Sequence, residues 1–147
     1  MNHSLGILER VTRRHLNLAR VLLVHGELAS RLALQTILVA AGYAVDVAAT
    51  PAEAFTKLDE GRYALVLCAA EFASGRSGRD VLSYARIKDY RPATALVTAT
   101  DLQPQRHSRA RQSVSIHTEN VPTFLGEVAE LIGLRASRRY RILRHAV

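Results

Sequence analysis

The chain has very little of the residues on which several kinds of site depend. Among its 147 residues there is one cysteine, Cys68, one methionine and no tryptophan. A single cysteine cannot form an internal disulfide framework or a CxxC zinc site, and it suits the reducing cytoplasm. No apolar run approaches the roughly 18 residues of a membrane span, and the charged N-terminus is unlike a secretory signal. We therefore expect a cytoplasmic protein without membrane association.

Motifs for catalysis and nucleotide binding are also missing. The sequence has no GxxxxGK[ST] phosphate loop, no GxGxxG after its first strand pattern and no GxSxG nucleophile elbow. The GRSG sequence at 75–78 has too few glycines for a phosphate loop and is typical of a turn. We therefore expect neither enzymatic activity nor a cofactor.

Positive charge is present in excess, and it is concentrated toward the ends of the chain. The sequence has 20 Lys and Arg against 13 Asp and Glu, a formal net charge of +7, whereas residues 27–100 are close to neutral. Two basic groups stand out, the first formed by Arg106, Arg109 and Arg111 and the second by Arg135, Arg138 and Arg139. Ala136, Tyr140 and Leu143 recur among the second group at helical spacing, which predicts a basic amphipathic helix.

The middle of the chain alternates between strand and helix patterns. Strands are predicted over 20–24, 44–48, 63–68, 93–98 and 114–117, and helices over 27–41, 51–61, 79–88, 101–112 and 120–133. The capping box Thr50-Pro51-Ala52-Glu53 marks one helix start, and Gly133 marks the last helix end. Such alternation predicts parallel strands joined by right-handed crossovers. We expect an N-terminal helical arm (1–19), a folded body (20–133) and a basic C-terminal helix (134–147).

The order of elements and several local motifs resemble the receiver domain of bacterial response regulators. The resemblance rests on VLLV (21–24), AAGY (40–43), PAEAF (51–55), YALVLC (63–68), GRSGRDVL (75–82) and ALVTAT (95–100). It implies an α/β fold of the flavodoxin-like (βα)5 type, with a doubly wound parallel sheet in the strand order 2-1-3-4-5. The terminal helical segments would be additions to that fold.

The resemblance also implies a chemistry, and the residues that would perform it are absent. Receivers transfer a phosphoryl group from a histidine kinase to an aspartate that ends the third strand, with Mg²⁺ held by two acids after the first strand. A hydroxyl ends the fourth strand and a lysine follows the fifth. In this chain the corresponding residues are His25 and Gly26, Ala69, Thr98 and His117. Without carboxylates the pocket lacks the oxygen ligands that Mg²⁺ prefers, so we expect a degenerate pocket with no metal and no catalysis.

Two other readings of these residues remain open. Glu71 lies two residues beyond Ala69 and is an alternative phosphoryl acceptor. His25, Cys68 and His117 would share one edge of the sheet, where imidazole and thiolate suit Zn²⁺ or copper. The simpler interpretation is that Cys68 is a small buried apolar residue and the two histidines face solvent.

The function that we predict is binding rather than catalysis. The chain would be a pseudo-receiver that acts as a protein–protein interaction module in bacterial signalling or transcriptional regulation. In receiver domains, dimerisation or output uses the face formed by the fourth helix, the fifth strand and the fifth helix. In this chain that face would include residues 101–112. The interaction residues would then be Arg106, Arg109, Arg111, Arg135, Arg138, Arg139, Tyr140 and Leu143, used for a protein partner or a homodimer. The alternative is a small nucleic-acid-associated regulator whose arginines contact phosphates, although Tyr140 alone offers stacking in the tail.

Overall fold

The fold is a five-stranded parallel sheet covered by helices on both faces. The computed structural model describes residues 19–98 and 115–145, with side chains of the last helix described as far as Arg138. The strands are β1 (Arg20–Val24), β2 (Ala44–Ala48), β3 (Leu65–Ala69), β4 (Ala93–Thr98) and β5 (Ser115–His117). All neighbouring pairs are parallel and the strand order is β2-β1-β3-β4-β5. The predicted fold class and strand order are confirmed.

Four described helices form the two outer layers. They are α1 (Leu28–Ala40), α2 (Pro51–Glu60), α3 (Gly78–Arg86) and α4 (Val121–His145). Successive strand residues point to opposite faces, so Val21 and Leu23 pack with α1 and α4 while Leu22 and Val24 pack with α2 and α3. Because both faces of the central strands β1 and β3 are buried, these two strands are apolar from Val21 to Val24 and from Leu65 to Ala69 instead of alternating with polar residues.

Local sequence signals account for where the helices begin. The Thr50 hydroxyl accepts a hydrogen bond from the Glu53 amide at 3.1 Å, and the Glu53 carboxylate accepts one from the Ala49 amide at 3.0 Å. Asn120 caps α4 by accepting from the Thr123 amide at 3.1 Å. These caps satisfy amides that a helix leaves without intrahelical partners, so the predicted starts of α2 and α4 are confirmed.

The prediction that the last helix ends at Gly133 is wrong, because α4 continues to His145. A glycine inside a helix costs about 1 kcal/mol but does not by itself end the helix. Beyond Gly133 the Arg135 guanidinium donates to the carbonyls of Tyr90 at 2.8 Å and Arg91 at 3.0 Å, which ties the helix to the loop before β4. The expected division of the chain at residue 133 therefore falls inside one continuous helix.

Several predicted features lie outside the described residues. These are the N-terminal arm up to residue 18, the helix expected over 101–112 with Arg106, Arg109 and Arg111, and the side chains of Arg139, Tyr140 and Leu143. Within the described part of the chain, no helix is both long and apolar enough to cross a membrane.

Candidate functional site

The carboxyl ends of the strands bring the predicted pocket residues to one edge of the sheet. Val24 at the end of β1 pairs with Cys68, so His25 and Ala69 follow on adjacent strands. Farther along the edge, Thr98 at the end of β4 pairs with His117 at the end of β5. The five positions therefore form two neighbouring groups, His25, Gly26 and Ala69 in one and Thr98 and His117 in the other.

His25 is held by hydrogen bonds on three of its atoms. Its amide donates to the Ala48 carbonyl at 3.0 Å, its carbonyl accepts from the Arg31 guanidinium at 2.9 Å, and Nδ1 accepts from the Glu27 amide at 3.1 Å. Because Nδ1 accepts, the neutral ring carries its proton on Nε2. Burial lowers the pKa of the half-buried imidazole, Glu27 opposes this and the Arg31 charge adds to it. The structure therefore favours a neutral His25.

This depressed pKa predicts that acid weakens the fold through His25. The ordinary pKa is 6.5, so below that pH the unfolded chain takes up a proton that the folded protein binds less readily. The stability contributed by the neutral ring is complete above about pH 6.5 and is lost as the pH falls through the folded-state pKa. We expect His25→Gln to reduce the loss of unfolding free energy between pH 7.5 and pH 5, measured by urea denaturation. Parallel pH profiles for the two proteins would contradict this prediction.

An aromatic ring borders the space in front of Gly26. A Cβ atom at Gly26 would lie 3.4 Å from Cδ1 of Phe72 and 3.7 Å from the Ala49 carbonyl oxygen. Phe72 packs against the core beneath α2 and α3. At the positions that the resemblance assigns to the metal and the phosphoryl acceptor, the chain thus offers an imidazole, a hydrogen atom and a methyl group. These groups do not fit Mg²⁺, which binds through several oxygen ligands.

The end of β3 is in direct contact with the start of α3. The Gly78 amide donates to the Ala70 carbonyl at 2.8 Å, and a Cβ atom on Gly78 would lie 1.9 Å from the Ala69 carbonyl oxygen. The same Cβ would lie 3.2 Å from Sγ of Cys68, which is fully buried. Only a glycine allows the helix to begin this close to the strand end.

The structure supports the simpler interpretation of Cys68. Burial raises the pKa of its thiol to about 12, so at neutral pH it is a protonated, apolar side chain and a poor metal ligand. His25 follows β1 and His117 ends β5, and β3 and β4 lie between these two strands in the sheet. Among the described residues no three His, Cys, Asp or Glu side chains are placed to share a metal ion. The suggested His25, Cys68 and His117 metal site is therefore not assembled.

Glu71 lies outside the strand that would have to present it. β3 ends at Ala69, which pairs with Val97, and Glu71 follows as an exposed residue in an isolated bridge with Ser77. Its carboxylate is therefore carried by a surface turn and not by the strand end.

A small pocket lies next to Thr98, which ends β4, and Thr118, which follows β5. Thr98 Oγ1 donates to the Ile116 carbonyl at 3.4 Å, a long bond, and Thr118 Oγ1 donates to the Thr98 carbonyl at 3.2 Å. The pocket has a volume of about 170 Å³ and is lined by His25, Ser30, Ala33, Leu34, Ile37, Val97, Thr98 and Thr118. It has a polar side at the strand ends and an apolar side on α1.

Of the predicted interaction residues, two have described side chains, and these differ in their surroundings. Arg135 is engaged with the carbonyls of Tyr90 and Arg91, whereas Arg138, one turn later, is exposed. Sequence reasoning missed Phe72 and the α1 residues that line the pocket. A single aromatic in the otherwise polar turn after β3 was the available signal for Phe72.

Several solved structures of other proteins have the same architecture as this chain. No family model and no curated protein sequence matches the chain. A CheY-like response regulator receiver domain from Methanospirillum hungatei is 22% identical, with a TM-score of 0.69 over 82% of this chain and 98% of that one. The magnesium-bound receiver domain of a sensor histidine kinase from Pseudomonas aeruginosa is 18% identical, with a TM-score of 0.67 over 78% and 98%.

A third neighbour comes from a complex of the histidine kinase ThkA with the response regulator TrrA. It is 29% identical, with a TM-score of 0.64 over 77% of this chain and 97% of that one. This chain thus has the flavodoxin-like receiver fold, and its structural neighbours are response regulator receiver domains.

Proposed function

We propose that this chain is a degenerate receiver that does not accept a phosphoryl group and acts by binding other proteins in bacterial signalling or transcriptional regulation. The observation that carries the proposal is the contact at Gly26. The Phe72 ring lies 3.4 Å from the Cβ position of Gly26, beside Ala69 on the adjacent strand. The residues at the positions that phosphoryl transfer would use, His25, Gly26 and Ala69, supply no carboxylate, and an apolar ring borders Gly26.

Electrostatics explains why these substitutions remove the reaction as a whole. A phosphoryl group carries up to two negative charges, and a carboxylate can accept it only when a cation offsets the repulsion. The Ala69 methyl group is not a nucleophile, and His25 is held neutral by burial. Among the described residues at this edge, the position of the acceptor therefore holds no nucleophile and the two positions after β1 hold no carboxylate for a metal ion. Regulation would then depend on the abundance of the protein or of its partner.

The binding surface that we propose includes the end of α4. Arg138 is exposed there, and the following sequence adds Arg139, Arg141 and Arg144 with no acid. Arginine-rich surfaces favour acidic partners and speed their association. The solved complex of a histidine kinase with a response regulator shows that a neighbour with this fold binds a protein. We propose a protein partner or a second copy as the ligand, with the residues over 101–112 on the same surface.

The test is the oligomeric mass and partner binding of three chains, measured with and without Mg²⁺ and beryllofluoride. The chains are the full protein, residues 1–138, and residues 1–133. We expect beryllofluoride to have no effect on any of them. The 1–138 chain should keep the stability of the full protein but lose its assembly, whereas the 1–133 chain should also be less stable, because Arg135 is removed.

Each alternative has its own outcome in this test. A change of mass or melting temperature with beryllofluoride would mean that a phosphoryl acceptor survives, which would contradict the proposal. Binding of DNA or RNA fragments that weakens steeply with salt, together with no protein assembly, would favour the nucleic-acid alternative.

A further inference from the structure

The outward face of α1 is apolar and exposed. Leu28, Leu32 and Val39 expose 59%, 51% and 53% of their surface, although they lie on one side of the helix. Leu34 and Leu38, on the opposite side, are buried against the sheet. Since the outward side of a surface helix is normally polar, a row of three large apolar residues indicates a surface that another element covers.

The polar side chains on this side of α1, Gln35 and Thr36, carry no charge. The single charged residue of α1 is Arg31, whose guanidinium donates to the His25 carbonyl at 2.9 Å. Thr36 Oγ1 donates back to the Leu32 carbonyl at 2.8 Å, so its hydroxyl is used within the helix. The face would bind an apolar helix or strand, and it has no charge with which to attract an acidic peptide or a nucleic acid.

The first described residues lie beside the end of this helix. Arg20, the first residue of β1, pairs with Ala44, which follows the short turn that ends α1 at Ala40. The Arg20 side chain is anchored there by an ion pair with Asp46 at 2.7 Å and lies 5.1 Å from the centre of the Tyr63 ring. Residues 1–18 are therefore joined to the body near the end of α1 that carries Val39.

The length and composition of this segment match the face. From Leu28 to Val39 the helix rises about 17 Å, and eighteen residues span about 27 Å even if they are fully helical. The segment contains Leu5, Leu8 and Val11 at spacings of three, together with Leu18. Its attachment next to α1 gives it a high effective concentration there, which a separate molecule does not have.

We propose that residues 1–18 fold back along α1 and cover Leu28, Leu32 and Val39 with Leu5, Leu8 and Val11. The occupant of the face is thus a segment of the same chain. This inference is independent of the proposed function, because it concerns α1 and not the pocket or the end of α4.

Cysteine labelling in the full chain tests the contact. Thr36 is exposed and lies between Leu32 and Val39 along the face, so Thr36→Cys places a thiol there, while the natural Cys68 is fully buried. We expect a maleimide to react with this thiol at least tenfold faster when Leu5, Leu8 and Val11 are all replaced by serine. As the matched control, Asp89→Cys places a thiol at a side chain that is 80% exposed, and its rate should be equal in both backgrounds.

The other outcomes would overturn the proposal. Fast labelling in both backgrounds would mean that the face is open. Protection that disappears on dilution would mean that a second copy covers it, and slow labelling in both backgrounds would assign it to another part of the chain.

The second measurement is the thermal midpoint of unfolding, which also shows whether the triple-serine variant of Leu5, Leu8 and Val11 is folded. Leu32→Ala should lower the midpoint by about 3 °C in the natural chain and leave it unchanged in the triple-serine background, since alanine forms helix at least as well as leucine. An unchanged midpoint in the natural chain would mean that Leu32 has no cover, since exposed substitutions are nearly neutral.

Discussion

Replacing Gly78 by alanine is expected to destabilise the protein by about 3 kcal/mol, although it adds only one methyl group. The new Cβ would lie 1.9 Å from the carbonyl oxygen and 2.9 Å from the carbonyl carbon of Ala69. Both are backbone atoms at the end of a central strand, so neither can rotate away as a side chain would. To relieve the overlap, α3 must move off β3, which breaks the bond from the Gly78 amide to the Ala70 carbonyl. Urea denaturation followed by circular dichroism measures the change.

Gly133→Ala is the matched control, because it is the same chemical change in an open place. A Cβ atom at Gly133 meets nothing within 4 Å, and the residue lies inside α4. Alanine is the better helix former by about 1 kcal/mol, so this variant should be more stable than the natural protein. If Gly78→Ala were as stable as the natural protein, the close approach of α3 to the strand end would be refuted. If Gly133→Ala were destabilising, the helix would not pass through that residue.

A magnesium response should appear when carboxylates are placed at the edge and the aromatic ring is removed. The variant combines Gly26→Asp, Ala69→Asp and Phe72→Ala, which supplies two carboxylates on adjacent strands and clears the space in front of residue 26. At a Mg²⁺ concentration ten times the dissociation constant, binding to the folded state adds about 1.4 kcal/mol. This should raise the melting temperature of the variant by about 4 °C, while the natural protein shows no response.

Two related variants isolate the cause of that response. Asparagine at both positions, with Phe72→Ala, keeps the shape but removes the charge, and it should not respond to Mg²⁺. The two aspartates with Phe72 retained should respond less, because the ring lies within van der Waals distance of the new side chain. An equal rise in the natural protein would show that a cation site already exists, and the proposed function would then fail.

The charge of the chain has consequences for how a partner is found. The acids and bases of residues 27–100 nearly cancel, so the excess of positive charge lies in the parts that flank the central body. Long-range electrostatic attraction of an acidic partner would therefore act at the exposed end of α4. The outward face of α1 is apolar and would not attract a partner in this way. The two surfaces are suited to different contacts, which is why we assign the partner to one and the N-terminal segment to the other.

Much of the fold could be predicted because its signals are local. Apolar runs as short as Arg20–Val24 and Leu65–Ala69 form strands that are buried on both faces, and Thr50 and Asn120 satisfy the first amides of the helices that follow them. For the elements that the structure describes, the boundaries lie within two residues of the predicted ones, except at Gly133. There the local rule that glycine ends a helix is overridden by the bonds of Arg135 to Tyr90 and Arg91, more than forty residues away in sequence.

The candidate site was only partly predictable, for a related reason. The sequence by itself determined which groups are absent, since the residue types at His25, Gly26 and Ala69 contain no carboxylate wherever the chain places them. The strand order followed from the resemblance of the motifs to receiver domains, and the structure confirms it.

Only the tertiary structure decided what fills the space that those groups leave. It set Phe72 against Gly26 and the Ala69 carbonyl against Gly78, and it left Leu28, Leu32 and Val39 facing outward on α1. Such contacts join residues that are distant in sequence or depend on which side of a helix meets the sheet. They are set by the packing of the whole core, which no short stretch of sequence specifies.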